Sequence, residues 1–485
     1  MTTADTTDLP PSTDQQGTVA LVVLAAGAGT RMRSALPKPL HPVAGVPMAR
    51  LVVEAGMAAR PTSVTLVVSA QTATNIDALA IDATVQTVVQ DPPRGTGEAV
   101  ALALDTTGDA RWIVVLFADH PLLTPETVAR FVAGAQAQQA LVTVLTCILP
   151  DGAAYGRIAR NQQGQPLRVV ERKDDDQALR TGAVEVNSGM MVFEATWLRG
   201  AVTRLQPSLA TGEFYMTDLV ELAVADGSPT AGAWPVATVA ADPEVALGIN
   251  DRVQLAAADD IARERIRRRH MTAGVTIVAP ETVFIDAGVT IGQDTTIHPF
   301  SLIQTGTEIG ERCVVGPHTV LSRARLGDEV VIRSSTITDS TVASGADVGP
   351  YAHLRGNSSV GPGAHIGNFA EINRSFVGEG VKMAHFSYLG DAQVGARSNI
   401  GAGAITCNFD GSRKNRTEIG TDVSIGSDTM LVAPIAIGAG ARTGAGSVVT
   451  KSVPPGATVV GVPARVIRTQ STSPDDSDGE EDRQG

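Results

Sequence analysis

The chain has 485 residues, 43% of them hydrophobic, and this length predicts two large globular domains rather than one core. The formal net charge of −13 comes largely from acidic termini, so we expect neither a nucleic-acid nor a membrane partner, both of which favour a basic face. Three widely separated cysteines and the lack of a long apolar stretch argue against disulfides, structural zinc and a membrane span.

Residues 1–17 are rich in Thr, Asp and Pro and predict a disordered tail. Over residues 18–250, apolar runs then alternate with helix-like segments, which is typical of a doubly wound, Rossmann-like α/β domain with a largely parallel sheet. The predicted strands are Val19–Leu24, Val64–Val68, Val85–Val89, Trp112–Phe117 and Val142–Leu149, and the predicted helices are Met48–Ala59, Thr96–Leu104 and Pro125–Gln139.

A glycine-rich loop, AAGAGTRM, follows the first predicted strand and precedes Lys38 in the run PKPL. Small residues there let backbone N–H groups approach phosphate oxygens, while Arg31 and Lys38 supply positive charge for a triphosphate. The spacing matches neither GxGxxG nor a P-loop, which disfavours both of those sites. Because tight strand-to-helix turns use the same residues, the loop alone leaves a purely structural role open.

Residues 251–272 predict a linker helix between the two domains. Such a helix also suits the open end of a repeat domain, which must be capped. The helix carries a cluster of arginines, which we expect on a solvated face: Arg263, Arg265, Arg267, Arg268 and Arg269.

A small apolar residue followed by glycine recurs at intervals near a multiple of six, from Ile291-Gly292 to Ile437-Gly438. This period fits neither a helix nor a plain strand alternation, and it predicts short strands joined by turns, with three such units in each coil. Stacked coils bury a continuous core that no single coil could bury. We therefore expect a parallel β-helix over residues 273–468, followed by a disordered acidic tail over residues 469–485.

The repeat carries an irregular polar segment between Leu354 and Lys414. It contains His385, and a polar loop from Asn408 to Lys414 breaks the six-residue count. A break in a regular repeat often marks function. Histidine suits removal of a proton from an amine that attacks a thioester, although a lone histidine in a β-helix is more often structural.

The run LAAGAGTRM with PKPL resembles the signature of the sugar-nucleotide pyrophosphorylases. Further segments of that pattern follow in order: Gln90 with Gly95-Thr96-Gly97, Phe117-Ala118-Asp119, Tyr155-Gly156-Arg157, Val170-Glu171, Asn187-Ser188-Gly189, Gly212 to Asp218, and Gly248-Ile249-Asn250. With the repeats, residues 18–468 resemble a bacterial family of bifunctional enzymes that join N-acetylglucosamine-1-phosphate uridyltransferase to glucosamine-1-phosphate N-acetyltransferase.

The resemblance implies that the first domain transfers a uridylyl group from UTP to N-acetylglucosamine 1-phosphate and releases pyrophosphate. It also implies Mg²⁺ at Asp119 and Asn250, whose two oxygens form the sparse shell that leaves room for phosphates and water. An ordinary helix cap is the alternative for Asp119 taken alone. The residues that the resemblance assigns to UTP and the sugar nucleotide are Leu24, Ala25, Gly27, Arg31, Lys38, Gln90, Gly95, Thr96, Asp119, Gly156, Glu171, Asn187 and Asn250.

The resemblance also implies that the β-helix, left-handed in this family, transfers acetyl from acetyl-CoA to glucosamine 1-phosphate, with His385 as general base. The residues implied to bind the acceptor are Arg355, Tyr388, Asn399, Asn408, Phe409 and Lys414, and those implied to bind acetyl-CoA are Ala402, Ser427 and Ala445. In this family the acetyltransferase sites lie between neighbouring β-helices. A homotrimer is therefore implied, as is a cytoplasmic enzyme that supplies cell-wall and lipopolysaccharide synthesis.

Two positions depart from the family pattern. Asn373 stands where the family usually has a substrate-binding lysine, and strand alternation would point Arg374 to the opposite face. Acceptor affinity would then be reduced. Near Gly461 the chain lacks an arginine that some members carry, and Arg465 is a weak candidate to replace it.

Two other functions stay open from the sequence. The chain could be a nucleotidyltransferase whose β-helix only assembles or regulates, or its β-helix could bind a protein through an exposed apolar patch. His385 and the loop from Asn408 to Lys414 argue against a scaffold, which has no use for them.

Overall fold

The computed structural model describes residues 17–150, 155–170, 183–227 and 233–469. Glu171 and nearly all of the two predicted tails lie outside the described residues. The chain divides into two compact units, Met1–Ala262 and Arg263–Gly485, and the boundary falls within the helix Arg252–Thr272. In the part of the chain that is described, no helix is long and apolar enough to cross a bilayer.

The first unit contains the predicted α/β sheet. Strand Val19–Ala25 pairs in parallel with Ser63–Val68 on one side and with Trp112–Phe117 on the other. The order across the sheet is Val236–Ala241, Val142–Leu149, Val184–Glu194, Trp112–Phe117, Val19–Ala25, Ser63–Val68 and Gln86–Val89. This confirms the predicted fold class.

One long strand makes the sheet mixed rather than wholly parallel. Val184–Glu194 runs antiparallel to both neighbours, Trp112–Phe117 and Val142–Leu149. The antiparallel pair Arg157–Arg160 and Pro166–Val170 extends from it. Apolar periodicity reports which residues are buried and not the direction of a strand, so the sequence did not reveal this.

Alternate residues of the first strand face two helical layers. Leu21 and Val23 belong to one core with Val52, whereas Ala20 and Val22 belong to the other with Val100. The α-helices of this unit are Met48–Gly56, Ala70–Ala73, Thr96–Ala103, Pro125–Gln138, Ala195–Ala201 and Asp218–Asp226. The sheet is therefore buried on both sides, and its carboxyl-terminal edge remains available for a ligand.

The second unit is a parallel β-helix of short strands. Among the described residues, twelve strands form one sheet, from Thr276–Ile277 to Ala464–Arg468. A second sheet of seventeen described strands runs from Phe284–Ile285 to Val448–Val449. Residues one coil apart pair in register, and the inward residues Ile297, Val315, Ile332, Val348 and Ile366 are fully buried. The six-residue period thus produced the predicted core.

The arginines of the helix Arg252–Thr272 do not all lie on a solvated face, so that prediction was wrong. Arg263 Nη1 lies 2.9 Å from Asp286 Oδ1, and Arg267 is only 9% exposed and donates to the Val283 carbonyl. Ile266 packs against the core of the repeat. The end of the helix packs over the first coil, and this packing shields Arg263 and Arg267 from solvent.

Candidate active sites

A cavity of about 330 Å³ opens at the carboxyl end of the first strand, Val19–Ala25. The predicted residues that line it are Leu24, Ala25, Gly27, Lys38, Gln90, Gly95, Thr96 and Asp119. Glu213 and Tyr215 also line it, although the sequence assigned them no role beyond the quoted motif. Parallel strands bring their carboxyl ends to one edge, and this collects side chains from distant parts of the sequence.

Lys38, Asp119 and Asn250 meet at this edge. Lys38 Nζ donates to Asp119 Oδ2 at 2.5 Å and to Asn250 Oδ1 at 3.0 Å. The backbone N–H of Ile249 donates to the Asp119 carbonyl at 2.9 Å, which fixes Asn250 beside Asp119. A carboxylate and an amide oxygen therefore face one cation, as a divalent-ion site requires.

The charge of Asp119 is set by its neighbours. Burial alone would raise the pKa of Asp119, but His120 and Lys38 beside it hold the pKa well below its usual range. His120 Nδ1 lies 2.9 Å from Asp119 Oδ1. The carboxyl is therefore ionised at neutral pH and can hold a cation.

The loop after Gln86–Val89 is held by contacts from a distant segment. The Gln90 side chain donates to the Gly95 carbonyl at 3.0 Å and to Glu98 Oε2 at 2.9 Å, and Met216 N donates to Thr96 Oγ1 at 3.0 Å. Gly95 has a φ of 102°, and a Cβ there would collide with the Phe214 carbonyl. Nothing in the sequence indicated Glu98, because a carboxylate that accepts a hydrogen bond from Gln90 belongs to no motif.

The cavity wall does not include four predicted residues that the structure describes, Arg31, Gly156, Asn187 and Asn250. Arg31 is exposed, and Asn250 reaches the site through Lys38. Asn187 and Gly156 are joined by a backbone hydrogen bond of 2.8 Å, and the Asn187 side chain accepts from Gly189 N. Glu171 lies outside the described residues.

The predicted interruption of the repeat is visible as a change in the number of residues between paired positions on successive coils. Tyr388 pairs with Ile405, but Ile405 pairs with Met430, so this coil is longer than its neighbours by the polar loop. Phe409 bridges antiparallel to Lys414, and Asn415 N donates to the Asn408 carbonyl at 2.7 Å. The extra residues thus form a small closed loop on the outside of the coil.

Two predicted acceptor residues, Arg355 and Tyr388, lie in two columns of stacked residues in the same sheet. His353, Glu371 and Tyr388 are in register, as are Arg355, Asn373 and Gly390. Two nitrogens of Arg355 donate to Glu371 Oε1, at 3.0 and 2.6 Å.

Asn408 reaches the same region through Asp391, because its Nδ2 lies 2.5 Å from Asp391 Oδ2. Hydrogen bonds from Arg374 lower the pKa of Asp391, burial opposes them, and Asn408 and Lys414 add to the lowering. Asp391 was not a predicted site residue, although it lies in the irregular segment between Leu354 and Lys414 that contains His385.

The predicted orientation of Arg374 was wrong. The strand Ala370–Asn373 ends just before it, and Arg374 has a φ of 50°, so the alternation of the strand stops at Asn373. Its guanidinium donates to both oxygens of Asp391, at 2.8 and 2.9 Å, and to Asn373 Oδ1 at 3.2 Å. Arg374 therefore belongs to the same cluster as Asn408.

His385 is exposed and lies at a corner of the coil, just before the strand Ser387–Gly390. The same corner recurs on later coils, where Gly403 N donates to the Phe386 carbonyl, Asp428 N to the Ala402 carbonyl and Gly446 N to the Ser427 carbonyl. The three predicted acetyl-CoA residues, Ala402, Ser427 and Ala445, therefore form a column that begins beside His385.

Asn399 is not brought together with the other acceptor residues. It pairs with Lys382 and Ser424 in the twelve-stranded sheet, whereas Tyr388 lies in the other sheet of the β-helix. One chain alone therefore presents the predicted acetyltransferase residues on two faces.

The fold and the two sites define a transferase of two parts, a nucleotidyltransferase followed by a hexapeptide-repeat transferase. Residues 21–180 match the MobA-like NTP transferase domain family, and residues 288–323 match the bacterial transferase hexapeptide family. The bifunctional protein GlmU of Mycobacterium tuberculosis (strain ATCC 25177 / H37Ra) is 41% identical over 451 residues, which covers 92% of this chain and 90% of that protein. That of Trichlorobacter lovleyi is 40% identical over 455 residues, which covers 93% and 97%. The chain belongs to the GlmU family.

Proposed function

We propose that the cavity at Asp119 carries uridylyl transfer and that the corner at His385 carries acetyl transfer. The chain is a bifunctional enzyme of UDP-N-acetylglucosamine synthesis: it acetylates glucosamine 1-phosphate from acetyl-CoA and then transfers a uridylyl group from UTP to the product. The observation that carries the assignment of the first site is the convergence of Lys38, Asp119 and Asn250 on one cavity.

In the first site, the sugar phosphate attacks the α-phosphorus of UTP in line, and pyrophosphate leaves. This chemistry needs positioning and charge stabilisation rather than a covalent group. The backbone from Leu24 to Gly27 and the loop with Gly95 and Thr96 would hold the nucleotide, because both line the cavity. Lys38 would neutralise the phosphates, while Gly156, Glu171 and Asn187 would hold the sugar.

Asp119 and Asn250 fit a magnesium ion, since their oxygens already face one cation. When bound, Mg²⁺ would neutralise the developing charge on the phosphates. The ammonium group of Lys38 occupies the place that the ion would take, and its contact with the same two oxygens supports the fit. Lys38 would then be free to contact a phosphate oxygen.

In the second site, His385 would accept the proton of the acceptor amine as the nitrogen attacks the thioester carbonyl of acetyl-CoA. The C–N bond forms, the C–S bond breaks, and CoA leaves as the thiolate. Arg355, Tyr388, Asn408, Phe409 and Lys414 would hold the sugar phosphate. The column Ala402, Ser427 and Ala445 would hold CoA because its small side chains leave the corner open beside His385.

We further propose that the enzyme is a cytoplasmic homotrimer. The separation of Asn399 from Tyr388 on one chain supports a site completed by a neighbouring copy. UTP and acetyl-CoA are metabolites of the cytoplasm. Sedimentation of the purified chain tests the assembly, and a monomer that retains acetyl transfer would contradict it.

Two assays of the purified protein test the assignment of activities. CoA release should depend on glucosamine 1-phosphate, and pyrophosphate release should depend on UTP, N-acetylglucosamine 1-phosphate and Mg²⁺. The second assay should stop on removal of Mg²⁺ with a chelator, while the first should continue. CoA release that stops equally would contradict a metal confined to the Asp119 site.

A further inference from the structure

We propose that Arg374 binds the phosphate group of the amino-sugar phosphate in the acetyltransferase site. The inference rests on the acceptor site proposed above. It adds to that site a cationic residue that neither the sequence pattern nor the comparisons assign.

The position of Arg374 supports this role. Its guanidinium bonds to Asp391 through two nitrogens, and Asp391 in turn accepts from Asn408 Nδ2. A Cβ at Gly390 would collide with both the Tyr388 hydroxyl and Asn408 Nδ2, so both groups lie over Gly390, the residue before Asp391. Arg374 is thus one hydrogen-bonded partner away from the place where two acceptor residues converge.

The guanidinium also has capacity for a ligand. A guanidinium carries five N–H donors, and Arg374 uses three of them, on the two oxygens of Asp391 and on Asn373 Oδ1. Within the described residues this leaves two donors on a side chain that is 39% exposed. Arginine pairs well with phosphate because its planar fork matches two oxygens.

The charges around the cluster point the same way. A sugar phosphate brings nearly two negative charges, whereas Asn373 brings no positive one. Arg355 and Arg374 are each paired with a carboxylate, Glu371 and Asp391, and Arg374 is the cation that bonds directly to the Asn373 side chain. Asp391 holds the guanidinium in one orientation, so its free donors lose little entropy on binding the phosphate.

The test separates charge from structure with Arg374→Gln and Arg374→Lys. We expect Arg374→Gln to raise the KM for glucosamine 1-phosphate about 10- to 100-fold, because the phosphate loses a charge-assisted hydrogen bond. The KM for acetyl-CoA should stay unchanged, and kcat should change little. Arg374→Lys keeps the charge without the planar fork, so it should raise this KM less than Arg374→Gln does. Asn373→Lys added to Arg374→Gln should also lower the KM, because it returns a cation to the same place.

Arg397→Gln is the matched control, because Arg397 makes the same two-nitrogen contact with Asp422, at 2.9 and 2.8 Å, on another part of the β-helix. If Arg374→Gln raises the acceptor KM no more than this control, or lowers only kcat, the inference is wrong. Asn408→Ala reports on the acceptor site itself. If both Asn408→Ala and Arg374→Gln leave the acceptor KM unchanged, the proposed site is misplaced. If Asn408→Ala raises this KM and Arg374→Gln does not, only the role of Arg374 is rejected. An unchanged KM for acetyl-CoA and an unchanged melting temperature report an intact β-helix in each variant.

Discussion

Lys38 Nζ lies 2.5 Å from Asp119 Oδ2, although the two residues are far apart in the sequence. The pair is mostly shielded from solvent, and Asn250 completes it from the end of the domain. A carboxylate at a strand end and an amide near the linker helix thus hold the ammonium group of a lysine that follows the glycine loop. This relationship supports the proposed role of the segment around the glycine loop over that of a purely structural turn.

Asp119→Asn removes the negative charge from this place and keeps the size of the side chain. We expect uridylyl transfer to fall by at least about 100-fold, because the cation that would neutralise the phosphates loses its carboxylate partner. Acetyl transfer should remain within about twofold. Pyrophosphate release and CoA release, measured on the same preparation, check this. Loss of both activities with an unchanged melting temperature would contradict the separation of sites.

Gly95→Ala should damage the nucleotide loop itself. The residue has a positive φ, and a Cβ there would collide with the Phe214 carbonyl, so the backbone must shift. We expect a loss of stability of about 2 kcal/mol or more, together with a raised KM for UTP. Thermal unfolding and initial rates measure the two effects.

Gly27→Ala is the matched control for that substitution. Nothing lies within 4 Å of a Cβ at Gly27, so the melting temperature should not change. The KM for UTP should still rise, because the open space at Gly27 lies in the cavity wall. A Gly27→Ala enzyme with normal affinity for UTP would show that the nucleotide does not approach this loop.

His270 should make the β-helix less stable in mild acid. Burial and then Arg269 lower the pKa of His270 to about 4 from an ordinary value of 6.5. The unfolded chain therefore binds the proton more readily, and stability present above pH ~6.5 is lost as the pH falls towards ~4, by at most about 3 kcal/mol. His270→Phe should flatten this dependence, because His270 Nε2 is buried and has no hydrogen-bond partner among the described residues. Calorimetry at several pH values measures it, with exposed His353→Gln as a control that should keep the slope.

The local pattern of apolar residues predicted much of the fold, because burial of side chains determines that pattern directly. The strand Trp112–Phe117 is a run of apolar residues that fills the sheet centre, and the six-residue period placed Ile297 and Val315 in the core of the coils. The antiparallel direction of Val184–Glu194 could not be predicted, since direction depends on the path of the chain between strands and not on side-chain polarity.

The sites were predictable only where a side chain carries its own chemistry. His385 and the glycine loop stand out by residue type. Arg374 does not, because its direction depends on a left-handed φ at a residue that is not glycine, which sequence alternation ignores. Asp391 and Glu98 act by holding other residues, and such roles become visible only through their contacts.

The division of the two activities between His385 and Asp119 is tested most directly by His385→Ala. We expect CoA release from acetyl-CoA and glucosamine 1-phosphate to fall by about 100-fold or more, the contribution of a general base. Pyrophosphate release from UTP and N-acetylglucosamine 1-phosphate should keep its wild-type rate in the same sample. An unchanged rate of CoA release, or the loss of both activities in a folded protein, would contradict the account.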